Sequence, residues 1–575
     1  MDKKTLPLVI LLVIVIIAYY PALQYFGVIQ EPAPNTADTT AVAEPPVDMQ
    51  ADQVKPAQET LTTERPVKDG QPPTMTEPVD AMTFDTVVVH TNKYDIVMTS
   101  YGGGPVSMIL KEYTLRDGNP IDMQAGSDRA MPEATFARQT FSTSQINFEC
   151  NFPPGDYPAT SGPLEVIYTY RNGQGGEIVR RYTFHPDSYS YDFALEVIAP
   201  ETFGFERQYR LEWNSPLQVT EPQADMDYQA MEAVAMMGGS RETLNDFDDG
   251  RMNQSLDGTT TWAGVRQKYF AAVMIPHSRE ADGVVARGIK QKVATPDGKV
   301  ERREITIAMI MPFASVESVT DSFQVFAGPL DYTLMSGYNV DLEDMLGIGT
   351  TPLVGWLIKP FAIGVIWLLP RMYDFLPNYG LVIIIFALLV KIVTMPLSAK
   401  SFRSMQAMRD IQPKLEELKV KHKKNPQALQ QETMALYRKH GVNPVSGCLP
   451  MLPQMPLFFA MFSVFRSTIL LRDAPFIWFI DDLSRGAQSF TDPYIILVVF
   501  MIIAQYLSQK LTMPTGGNQQ NKMLTYMMPL VMGFIFYKFS AGLVLYWACF
   551  SIFSLLDYVV FKRKAIKNPE VQSAG

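Results

Sequence analysis

Cysteine is scarce in this 575-residue chain: Cys150 stands alone in the polar part, and Cys448 and Cys549 fall in the apolar part. With no two cysteines inside the polar part, an internal disulfide there is excluded. The five histidines are scattered, with no HExxH and no CxxC motif, so no metal cluster is expected. A Walker-type phosphate loop is missing, which leaves ATP-driven work without a sequence basis. No cofactor and no enzymatic chemistry are expected. Basic excess is missing too: the net charge of −10 resides mostly in the first part and argues against DNA as a partner. The run "YGGGPV" at 101–106 reads as a turn between strands.

What the chain has instead is a division. Residues 30–340 are polar and acidic, while 345–561 hold repeated long apolar runs, so two or more units are expected. Lys3 and Lys4 precede an apolar stretch reaching about Ile29. A cleaved signal and an uncleaved anchor both begin this way, and no nearby small-x-small site closes the stretch. The expectation is an uncleaved anchor over 1–29, its amino end inside. Residues 30–83, rich in Pro, Thr, Ala and acids, read as a flexible linker. From 84 to 340 short alternating runs such as "LEVIYTYR", "EIVRRYTFH" and "EITIAMIM" are separated by turn residues. They predict an all-β domain, an antiparallel β-sandwich.

Residues 351–377 contain Lys359-Pro360, Trp356, Trp367, Arg371 and Tyr373 and read as an amphipathic helix in the membrane interface. Five candidate spans follow, at 379–397, 448–468, 493–511, 523–540 and 543–561. With the anchor they make six transmembrane helices, a polytopic α-helical membrane protein carrying the β-sandwich. The segment 398–446 and the tail 562–575 are basic, whereas 472–492 holds Asp473, Asp481, Asp482 and Asp492. The positive-inside rule therefore places both termini in the cytosol and the β domain outside, in a bacterium the periplasm. Segment 398–446 reads as a cytosolic helical hairpin, with a seam of Met408, Ile411, Leu415 and Leu418. Asn425-Pro426 predicts a helix start and Gly441 a helix end. The hairpin's Lys419, Lys421, Lys423 and Lys424 suit contact with a ribosome or a targeting factor; a solvated charged face is the alternative.

Residues 378–397, "NYGLVIIIFALLVKIVTMPL", keep Lys391 inside an apolar run. A cation there costs roughly 2.5–3.5 kcal/mol on insertion scales. Lys391 lies about 9 Å from the cytosolic end, at about 1.5 Å per residue. Thr394 shares its face, and Gln454, Gln505, Ser508 and Ser551 fall in the inner halves of other spans, while the outer halves are nearly bare of polar groups. A channel or carrier needs polar groups through the depth or at the midplane. The asymmetry instead predicts a hydrophilic groove open to the cytosol, hydrated enough to keep Lys391 charged. A guest polypeptide's own apolar helix then supplies the free energy of insertion. Snorkelling of Lys391 to the interface is the alternative. Methionines, Met461 among them, suit a surface that accepts many apolar sequences, and gap-filling serves equally for most.

The stretches "VNPVSGCLPMLPQMPLFFAMF", "LRDAPFIWFIDDLS" with "DPYIIL", and "MPLVMGFIFYKFSAGLVLYW" resemble the YidC-type membrane protein insertases. The resemblance covers about 375–561, and the outer domain, with "QKYFAAVMIPH" at 267–277, is like that of Gram-negative members. It implies a five-helix insertase core and a groove cation, met here by Lys391 where family members mostly carry Arg. It also implies guest contact at Ala387, where a polar residue is usual, and at Tyr546 or Trp547. The expected function is insertion and folding of nascent inner-membrane proteins, alone or alongside the Sec translocon, among membrane lipids and the ribosome and signal-recognition machinery. Two other readings are a small-molecule transporter and a periplasmic folding or sugar-binding protein with a membrane anchor.

Overall fold

The computed structural model describes residues 85–567 apart from 137–140, 206–207, 223, 296–297, 314–316, 351–353, 424, 442–450 and 513–518. The expected anchor (1–29), the whole linker (30–83), the start of the 448–468 span, Lys424 and the tail's end lie outside the described residues.

Alternation builds the first part. Along Glu177–Phe184 every second side chain turns inward, burying Ile178, Arg180, Tyr182 and Phe184. Among the described residues the strands form a 5-stranded and a 14-stranded sheet. In the smaller sheet Thr86–His90 pairs antiparallel with Tyr94–Thr99 but parallel with Gly155–Pro158. The expected purely antiparallel pattern is corrected there: the chain visits the larger sheet at Glu133–Phe136 and Glu149–Cys150 before it returns.

A cation pins the two sheets together. The Arg180 guanidinium, fully buried, donates to the carbonyl oxygens of Gly102 and Pro132 and to Thr143 Oγ1. Beside it the Tyr182 hydroxyl donates to the Gly103 carbonyl at 3.1 Å. The glycine run explains the close approach: Gly102 and Gly103 take φ of 84° and 61°, and a Cβ on Gly104 would collide with the Tyr182 ring.

Helices make up the second part: α1 (Gly355–Phe375), α2 (Tyr379–Asp410), α3 (Gln412–Lys421), α4 (Pro426–Lys439), α5 (Met451–Ser467), α6 (Ile495–Thr512), α7 (Gln519–Phe536) and α8 (Ala541–Lys567). Helix α8 packs between α2 and α6, α7 lies on α6, and α1 lies on α5 and α2. On α1, Trp356 and Trp367 are exposed, and the Arg371 guanidinium stacks on the Trp367 ring, 3.9 Å from its centroid.

Two boundaries differ from expectation. Helix α2 does not stop at 397 but continues through Pro396 to Asp410, and the hairpin proper is α3 and α4. The seam of Met408, Ile411, Leu415 and Leu418 is split at Ile411, because Pro413 starts α3 near its first turn, where its missing N–H is tolerated. The Asn425 side chain accepts the Ala428 N–H at 3.1 Å and caps α4.

The strand part rests on the segment between α5 and α6 through a buried ionic cluster. Arg472 Nε donates to Glu221 Oε1 at 2.7 Å, and its Nη2 donates to the Thr114 carbonyl at 2.7 Å. Arg116 reaches back to Glu221, Asp473 and Asp482. Asp482 Oδ1 in turn accepts the backbone N–H groups of Asp473 and Ser484. Buried charges are tolerated when paired and hydrogen-bonded, as Glu221 and Arg472 are here.

Among the described residues one helical segment, Tyr379–Pro396, is long and apolar enough to cross a membrane; Ile495–Leu511, Tyr526–Phe536 and Ala541–Asp557 are shorter apolar helices. The count of six spans is therefore not established by the fold.

Candidate functional site

Helix α2 carries Lys391 into contact with α8. The two helices run in the same direction, since Phe386 meets Tyr546 near one end and Lys391 meets Ser554 farther along both. Lys391 is only 6% exposed. Its ammonium donates to Ser554 Oγ at 3.0 Å, lies 3.1 Å from Asp557 Oδ2, and sits 4.9 Å from the centre of the Phe550 ring. Phe550, Ser554 and Asp557 stand at i, i+4 and i+7, one face of α8. A carboxylate, a hydroxyl and a ring face thus surround the cation. The snorkelling alternative does not describe this side chain, which turns into the bundle.

In this conformation Lys391 is paired and only 6% exposed rather than free. Lys391 is held by a carboxylate that the sequence reading passed over. Asp557 sits in the last turns of an apolar run, and the signal that could have found it was its spacing of three from Ser554.

The other candidate polar residues divide. Gln505 is buried on α6 and accepts the Trp547 indole N–H at 3.3 Å, tying α6 to α8 beside Lys391's helix. Ser551 donates to the Trp547 carbonyl at 2.9 Å, and Thr394 donates to the Val390 carbonyl at 2.9 Å, so both hydroxyls satisfy their own helices. Gln454 is half-buried on α5, and Ser508 lies on α6 within bonding reach of a neighbour. The structure therefore brings Lys391, Ser554 and Asp557 together as one cluster and Gln505 with Trp547 as another.

Of the expected guest contacts, Ala387, Met461 and Tyr546 are fully buried, so none offers free surface in this conformation. The reason is packing: Tyr546 lies between Phe386 and Phe550. Trp547 packs against Phe458 and Phe536, linking α5, α7 and α8. In the hairpin, Lys423 is exposed, Lys421 lies 3.8 Å from Glu432, and Lys419 has a bonding neighbour.

Comparison with known proteins matches this architecture part by part. Residues 86–363 match the model of the YidC periplasmic domain, and 371–568 match that of the 60Kd inner membrane protein. The membrane protein insertase YidC of Chlorobium luteolum is 34% identical over 522 residues, covering 86% of each chain. This chain belongs to the YidC membrane protein insertase family. The YidC of Chlorobaculum tepidum is also 34% identical, over 82% of this chain and 81% of its own length. A crystal structure of an active YidC insertase with its first transmembrane domain resolved covers 82% of this chain and 93% of its own, at 19% identity and a TM-score of 0.34. Members of the YidC family are inner-membrane insertases rather than enzymes, and the strand-rich part of this chain is the YidC periplasmic domain.

Proposed function

We propose that this chain inserts nascent inner-membrane proteins and assists their folding, using a cytosol-open hydrophilic groove lined by Lys391, Thr394, Gln454, Gln505, Ser508 and Ser551. Six spans, both termini in the cytosol and a periplasmic β domain complete the reading. One observation carries the groove: a buried cation in the apolar stretch of α2 is met by polar groups of α8 toward the same end. Intramembrane charges that face a bundle mark a pathway more often than they mark packing.

Helices α2 and α8 running in one direction suits two spans that both descend toward the cytosol. Apolar side chains such as Val393, Ile496 and Phe534 point outward from α2, α6 and α7 and suit contact with lipid or with a guest helix. The guest's apolar segment leaves water for lipid at about 25 cal/mol per Å² buried, so no ATP hydrolysis is required. Ala387, Met461, Tyr546 and Trp547 become guest-facing when α5, α7 and α8 separate. The hairpin lysines, Lys419, Lys421, Lys423 and Lys424, receive the ribosome or the signal-recognition machinery, and the Sec translocon shares larger clients.

The test is site-specific crosslinking from Gln454, Gln505 and Trp547 to a stalled nascent membrane protein. Adducts from all three positions are expected. Adducts from none, with solute flux in proteoliposomes, would replace this reading by a transporter.

A further inference from the structure

We propose that Asp557 is an internal stand-in for a guest carboxylate: it holds Lys391 at rest, yields to an acidic residue in the guest's translocated flank, and so tunes selectivity for such guests. This rests on the groove reading above and names the residue that sets its charge preference.

The Lys391 ammonium is buried between α2 and α8. An unpaired cation there carries the full desolvation cost, so a resting Lys391 requires a counter-charge. Asp557 supplies it at 3.1 Å, and the pair is formally neutral. An acidic guest residue then meets a cation already occupied, and pairing requires exchange.

Asp557 is built for exchange rather than for permanence. Among the described residues its Oδ2 is buried, yet makes no hydrogen bond of good geometry; the close approach to Lys391 is its attachment there. The contrast with the ionic cluster beyond α5 is direct, for there Asp482 accepts backbone N–H groups as well as pairing with Arg116. A carboxylate held by one charge contact is displaced by another carboxylate at little net cost, since one pair is formed as the other is broken. Meanwhile Ser554 and the Phe550 ring continue to hold the ammonium.

The experiment uses the full chain in proteoliposomes and two guests that differ at one translocated-flank residue, Asp in one and Asn in the other. The quantity read is the ratio of their insertion rates. Asp557→Asn, which keeps shape but removes the competing charge, is expected to raise the acidic-to-neutral ratio on the order of fivefold. Asp557→Glu is expected to keep the ratio of the unaltered chain. Should Asp557→Asn fail to accumulate, Ser554→Asp adds a second competitor and is expected to lower the ratio. An unchanged ratio, or an equal loss for both guests, would overturn the proposal and leave the pair a packing feature. Failure of the unaltered chain to insert either guest would sink the insertion reading and this inference with it.

Discussion

Arg472 and Glu221 stand 251 positions apart in the chain, yet the guanidinium Nε donates to the carboxylate at 2.7 Å. Both side chains are almost wholly buried, at 2% and 4% exposed. Glu221 belongs to the strand part and Arg472 follows α5, so this pair fastens one to the other. Breaking one member of a buried pair typically costs about 3–5 kcal/mol, because the survivor is left charged and uncompensated. Glu221→Gln is expected to lower the midpoint of thermal unfolding strongly. Adding Arg472→Met should recover part of the loss, and a double-mutant cycle measures the coupling. Additive losses would show that the two side chains act independently.

Lys391→Glu sets a carboxylate against Asp557. Like charges within a few ångströms oppose each other, and the cation that a guest needs is gone. Insertion of guests with acidic translocated flanks is expected to fall most, by at least about tenfold, the equivalent of about 1.4 kcal/mol. Guests with neutral flanks serve as the comparison. Equal activity on every guest would leave Lys391 a packing residue with no part in guest recognition.

Asp227 gives the outer domain a pH dependence. Burial pushes its carboxyl up to about 6, although its Oδ2 accepts the backbone N–H groups of Thr220 and Glu221. A raised folded-state pKa means that the folded form holds the proton more tightly than the unfolded form. Stability therefore declines as pH rises from about 4 to about 6 and levels off above that range. The contribution is at most about 3 kcal/mol, at about 1.4 kcal/mol per unit. Asp227→Asn preserves an acceptor for both N–H groups and should remove this part of the slope. Unfolding midpoints of the two proteins at pH 4.5 and 6.5 give the comparison, and identical slopes would exclude the assignment.

Gly380, in the first turn of α2, has no room for a side chain: an added Cβ would collide with the Phe476 ring. Gly380→Ala is expected to cost about 1–3 kcal/mol by overpacking. A second substitution, Phe476→Leu, should relieve part of it. Measured unfolding midpoints decide, and a neutral Gly380→Ala would mean that the α5–α6 segment moves aside freely.

The division into a strand-rich part and a helix-rich part was legible because its signals are local. Alternation at period two marks strands such as Glu177–Phe184, and long apolar runs mark α2, α6 and α8. Lys391 was legible for the same reason, since a charge within an apolar run stands out without knowledge of any neighbour. Asp557 carries the same local signal, a charge flanked by Leu556 and Tyr558 within the span 543–561, but that it faces Lys391 is not written in its neighbours.

Local pattern did not show how far α2 runs: the expected span closed at 397, but the helix continues through Pro396 to Asp410, its neighbouring turns supplying the remaining hydrogen bonds. Element type, the polarity of each face and the family's motifs thus follow from the order of residues alone, because they depend on neighbours within about two helical turns. Partners do not. That Lys391 meets Asp557, that Arg472 meets Glu221, and that Tyr546 lies buried against Phe386 were decided only when distant elements packed. Charge pairing and burial are properties of that packing, and no local stretch of the chain contains them.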